Sequence, residues 1–205
     1  MLTAAKTLLL FAMVLLSIFA PQQSTVARSY APEYTSEAQL KLPEHYREWV
    51  YLTSGFDMSY SANAQADDHH MFDNVFVDPE SYKKFVETGT WPDKTTLVLE
   101  VREAHGKGSI NQKGHFQSEI MGLEVHVKDE ARFSGRWAFF GFENNDKAGK
   151  MVPTTASCYS CHSDHAAVDT TFVQFYPTLL PIARSRNTLS AQYKKEIDNP
   201  SPSPK

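Results

Sequence analysis

Cysteine is almost absent from this chain: Cys158 and Cys161 are the only two in 205 residues. Two thiols are too few for a cysteine-rich zinc site, which would need further Cys or His at ligand spacing. A basic excess is missing as well. Twenty Lys and Arg stand against 24 Asp and Glu, a formal net charge of −4, whereas nucleic-acid binding calls for a basic face. Long apolar runs are also lacking. The longest, Leu8 to Ala20, falls short of the ~20 residues that span a bilayer, so stable membrane insertion is not expected. With Lys6 before that run and Thr25-Val26-Ala27 after it, residues 1–27 read as a secretory signal cleaved near Ala27. Removing them takes away one lysine and no acid, which leaves the mature chain slightly more acidic. The protein is therefore expected in the periplasm.

The two cysteines stand in Cys158-Tyr159-Ser160-Cys161-His162. Two thiols separated by two residues and followed at once by histidine is the attachment motif of haem c. Each thiol adds to one vinyl group, and the spacing lets one helical turn span both positions. His162 is then held as proximal iron ligand. A redox dithiol would prefer a βαβ context, which the surrounding sequence does not offer.

Read in order, residues 28–41 are polar and aperiodic, a loose leader. Leu42 to Trp49 suggests a short helix with Pro43 in its first turn. Strands follow at Trp49 to Tyr60 and His69 to Val77. Asp78-Pro79-Glu80 opens a helix, with Asp78 as N-cap and Pro79 at the first position, and Gly89 is placed to end it. Thr95 to Arg102, Phe116 to Val127 and Arg136 to Glu143 read as three more strands, the second with Gly122 inside it, at a bulge or a close backbone approach. Residues 144–153 read as a polar loop, and Asp169 to Arg184 as helix broken near its prolines. The domain is expected over residues 42–186, and residues 187–205, ending in alternating Ser and Pro, form a disordered tail by composition. With no internal repeat and no βαβ alternation, the fold class is α+β: a predominantly antiparallel β-sheet, flanking helices and a C-terminal haem-c-bearing helical segment.

Several spaced motifs agree in order. These are Leu42-Pro43-x-x-Tyr46-Arg47-Glu48-Trp49-Val50, Val77-Asp78-Pro79-Glu80-Ser81-Tyr82, Gly122-Leu123-Glu124-x-x-Val127-Lys128-Asp129, and Asp169-x-x-Phe172-x-Gln174-Phe175-Tyr176-Pro177. Together they resemble the cytochrome P-460 family, nearer its cytochrome c′-β branch. The resemblance implies one covalent haem c, His162 as proximal ligand, a distal pocket built from strands, and a homodimer. It also implies that the position of the family's lysine-to-haem cross-link falls at Leu99, which cannot make that bond. Lys94, five residues back, has opposite strand parity.

The distal candidates are His69, His70, Met71, Leu99, Glu100 and Phe140, with no catalytic residue fixed among them. Phe172, Phe175 and Tyr176 are expected to wall the proximal side, and Arg132 and Arg136 to pair with haem propionates. Three functions stay open. The first is binding of nitric oxide, as the c′-β branch does. The second is oxidation of hydroxylamine, or a peroxidase-like reaction with a distal histidine as acid and base. The third is electron transfer to a periplasmic redox partner, with a distal His or Met on the iron.

Overall fold

A computed structural model describes residues 29–60, 70–143 and 146–199. The expected signal segment, His69 and the last residues of the expected tail lie outside them. Among the described residues seven strands form one antiparallel sheet. They are β1 (Leu40–Lys41), β2 (Val50–Phe56), β3 (Met71–Val77), β4 (Thr96–His105), β5 (Phe116–Lys128), β6 (Trp137–Phe142) and β7 (Ala148–Met151). The spatial order is β1-β7-β6-β5-β4-β3-β2, so every strand from β2 onward lies beside its sequence neighbours and β1 alone returns to the far edge. Four α-helices complete the described chain: α1 (Pro79–Thr88), α2 (Ser157–His165), α3 (Leu180–Ser185) and α4 (Ala191–Asp198). None of the described helices is long and apolar enough to cross a membrane.

Strand alternation gives the sheet two unlike faces. On β4, Leu97 and Leu99 point one way while Val98 and Glu100 point the other. The register carries this across the sheet: Val77, Leu97, His126 and Phe139 stand level on the first face, and Phe76, Val98, Val125 and Phe140 on the second. The first face packs against α1 and the chain after α2, burying Trp91, Phe85, Val173, Leu179 and Tyr193. The second is covered by the N-terminal segment through Leu40, Tyr46 and Trp49. Burial of each such large side chain is worth about 1.5–3 kcal/mol. Three irregularities adjust the sheet. One lies between Tyr51 and Thr53 and turns Leu52 into the first core; the second falls between Val101 and Arg102, beside Gly122, and the third between Arg102 and Ala104.

Helix α1 begins and ends as its sequence dictates. Asp78 accepts from Ser81 N at 2.8 Å and, with its other oxygen, from Thr96 N at 3.1 Å, so the cap also ties the helix to β4. Gly89 closes α1 with φ of 78°, in the left-handed region that glycine adopts freely. A Cβ there would also stand 2.7 Å from Arg186 Cβ.

Five expectations need correction. The leader is not loose: Leu40 is wholly buried and β1 pairs with β7. The helix expected from Leu42 shrinks to one 3₁₀ turn, Tyr46–Glu48. The polar loop contains β7, in which Gly149 packs against the Phe142 ring so closely that a Cβ would lie 2.6 Å from it. The expected tail instead forms α4, capped by Ser190 and buried through Tyr193; between α2 and α3 the chain makes only a 3₁₀ turn, Val173–Phe175.

Glu100 is buried on the second face. Tyr46 and Arg102 hydrogen-bond to it, and Arg47 donates at 2.9 and 2.8 Å. Burial alone would raise its pKa; the bonds from Arg102, Tyr46 and Arg47 outweigh that and hold it below the ordinary value. A depressed carboxylate stabilises the fold above its unfolded pKa, and the contribution disappears as pH falls through the folded pKa. Glu100→Gln should cost about 2–3 kcal/mol at pH 7, and urea unfolding midpoints of the variant should fall less between about pH 5 and pH 3 than those of the wild type.

Candidate functional site

A cavity of about 460 Å³ opens between the first face of the sheet and the chain after β7, within the usual range for cofactor pockets, ~300–1,000 Å³. One wall is α2. Its two cysteines are unpaired and partly exposed, one helical turn apart, and both line the cavity. The helix has little apolar surface of its own, so other groups hold it. Tyr159 OH accepts from Phe139 N at 3.2 Å and donates to Val152 O at 3.1 Å. Ser190, at the start of α4, bonds the carbonyls of Ala166 and Ala167, each at 2.7 Å, and His165 pairs with Glu196.

His162 also lines the cavity. Its Nδ1 lies 2.7 Å from Thr170 O. A carbonyl only accepts, so the proton sits on Nδ1 and the lone pair is left on Nε2. Burial, opposed by that carbonyl, lowers the pKa of His162 and keeps the imidazole neutral, the form that binds a metal. Beyond it stand Phe172, its ring 4.2 Å from that of His162, then Phe175 and Tyr176. Among the described residues no group of three or more His, Cys, Asp and Glu is placed to hold a bare metal ion. Two free thiols, one oriented imidazole and aromatic walls are instead the donor set that a haem c requires, and they fit it.

The sheet supplies the opposite wall through Val75, Leu97 and Leu99, with Asp73 and Glu124 beside them. Both carboxyls have raised pKa values: Asp73 through burial and then Asp57, Glu124 through burial and then Asp73. His126 lines the cavity too. It stacks on Phe139 at 4.0 Å, and its Nε2 lies 3.4 Å from the Thr170 hydroxyl. Burial and then His162 push its pKa far down. Sequence reasoning missed Asp73, Glu124 and His126. The signal was available once Leu99 was placed on the cavity side, because antiparallel register puts Glu124 directly across from it.

The other candidates lie elsewhere. His70 bonds Asp57 at 2.5 Å and stacks against Phe56 and His115, outside the cavity lining. Met71 shares the first face but lies past the cavity, 41 % exposed at the start of β3. Glu100 and Phe140 have the wrong parity and face the second core. Arg132 lies over the Tyr34 ring, and Arg136 pairs with Asp169 and Glu130; neither is among the residues that line this cavity. Lys94 is bound to Asp129. His69 lies outside the described residues.

A family model described as Cytochrome P460 matches residues 43–173. No curated protein matches the chain.

Proposed function

Because the chain belongs to the cytochrome P460 family and is a haem cytochrome, we propose that it is an exported mono-haem protein whose pocket takes up a small nitrogen oxide, nitric oxide above all. In this reading Cys158 and Cys161 bond the haem c through their thiols, and His162 Nε2 is the axial ligand. Once bound, the haem supplies an iron able to bind a small nitrogen ligand and to exchange one electron. Residues 1–27 direct export to the periplasm, where a redox partner meets the protein, itself a homodimer.

The observation that carries the proposal is Leu99 on the cavity wall, with no lysine among the described lining residues. No amine is there to modify the cofactor, and Leu99 beside Val75 offers a small uncharged ligand an apolar surface. Asp73 and Glu124 favour a second reading, oxidation of hydroxylamine. Converting two hydroxylamines to nitrous oxide and water releases four electrons and four protons. The electrons would pass to an external one-electron acceptor, and carboxylates with raised pKa values are suited to take up the protons.

Optical spectra of the purified holoprotein, oxidised and reduced, test the proposal. An ordinary high-spin haem c spectrum that shifts on adding nitric oxide is the expected result. A strongly red-shifted reduced Soret band would reveal a cross-linked cofactor and overturn the Leu99 argument, while a low-spin spectrum indifferent to the gas would point to a distal ligand. Sustained reduction of an electron acceptor by hydroxylamine would move the assignment to the second reading.

A further inference from the structure

The cavity carries charge of one sign only. Asp73 comes from β3 and Glu124 from β5, diagonal to each other across β4: Asp73 stands level with Val101, Glu124 with Leu99. Both line the cavity, and neither carboxyl group is hydrogen-bonded or ion-paired to a described residue. No Lys or Arg is among the described lining residues. The nearest buried lysine along β5, Lys128, turns to Trp91 O at 2.7 Å and Asp169 at 3.4 Å instead. Asp73 is half-buried and Glu124 exposed, so both carboxylates present their charge to the space they line rather than to a partner in the wall.

We infer that Asp73 and Glu124 form a charge filter, which admits neutral or cationic nitrogen compounds and turns away anions such as nitrite and azide. The inference rests on the proposed haem pocket. An anion entering from water must leave its hydration shell, finds no Lys or Arg among the described lining residues to replace it, and approaches two carboxylates whose repulsion opposes the attraction of a ferric iron, which is the same in every variant. In a cavity these act through a medium far less screening than bulk water. Nitric oxide and hydroxylamine pay no such penalty, and a protonated amine gains from the same field.

The test uses ferric holoprotein at pH 8: wild type, Asp73→Asn, Glu124→Gln and the double variant, each titrated optically with azide, nitrite and nitric oxide. These substitutions keep shape and remove charge. Azide and nitrite should bind the wild type weakly and tighten about tenfold for each charge removed, while nitric oxide affinity stays within about twofold. Haem content should be unchanged, and the double variant should melt no lower than the wild type, because the repulsion between the two carboxylates has been removed. Equal azide affinity in all four proteins, or equal tightening for azide and nitric oxide, would overturn the inference. A wild type indifferent to nitric oxide would defeat the gas-binding proposal instead, and the ratio of azide affinities would still report on the filter.

Discussion

Replacing Cys158 and Cys161 together by alanine should convert a haem that stays on the denatured polypeptide into one that acid acetone extracts completely. Both thiols lie on the cavity wall one helical turn apart, and no other cysteine exists in the chain to substitute for them. The single variants should retain haem through one bond and show a shifted pyridine haemochrome band. Far-ultraviolet circular dichroism of the double variant should still report the sheet, because neither cysteine belongs to either core. The decisive comparison is haem staining on a denaturing gel. A stained band in the double variant would place the attachment elsewhere, and an unstained wild type would refute covalent attachment altogether.

Trp91→Ala should be the most damaging of the core substitutions, at about 3–5 kcal/mol. The side chain is 2 % exposed, its ring packs 4.3 Å from that of Phe85, and its indole nitrogen donates to Thr171 Oγ1 at 2.8 Å. That hydroxyl in turn donates to Val168 O at 2.8 Å. Truncation therefore opens a void and also releases the segment that carries Thr171, a cavity residue. Trp91→Phe keeps most of the packing and should lose closer to about 1–2 kcal/mol. Urea unfolding should show the lower midpoint with an unchanged slope. A loss below about 1 kcal/mol for Trp91→Ala would mean that the neighbouring side chains collapse into the space.

Local chemistry made part of this fold legible. Asp78, Pro79 and Gly89 bounded α1 because caps and turns act within a few residues, and the thiol spacing announced the site for the same reason. Parity on β4 was readable as well, since Leu99 and Glu100 had to face opposite ways. Which of them met the cavity was not, because that depends on the side to which the later chain folds back. Strand β7 escaped notice because Ala148-Gly149-Lys150-Met151 holds no β-branched or aromatic residue, and its glycine is required only by the ring of Phe142. Helix α4 was hidden by the Ser-Pro repeat after it, although Ser190 followed by Tyr193 and Ile197 carries a cap and an i, i+4 apolar pair. Arg132 and Arg136 looked suited to an anionic cofactor, but acidic neighbours and the Tyr34 ring claim them, and neither connection is visible in a linear sequence.

The order of the sheet bears on the timing of assembly. Strands β3 to β7 each pair with the strand just before, so little chain entropy is lost at any step. A chain emerging amino end first has a complete cavity wall by residue 151, before either thiol at 158 and 161 appears. Helix α4 arrives last and fastens onto α2. Between those two moments the cysteines stand on an unclasped helix against a finished sheet, which on the proposed haem c reading is the interval in which a macrocycle would enter and be bonded. A chain ending before Ser190 would remain in that interval and should exchange its cofactor freely until the thioethers form.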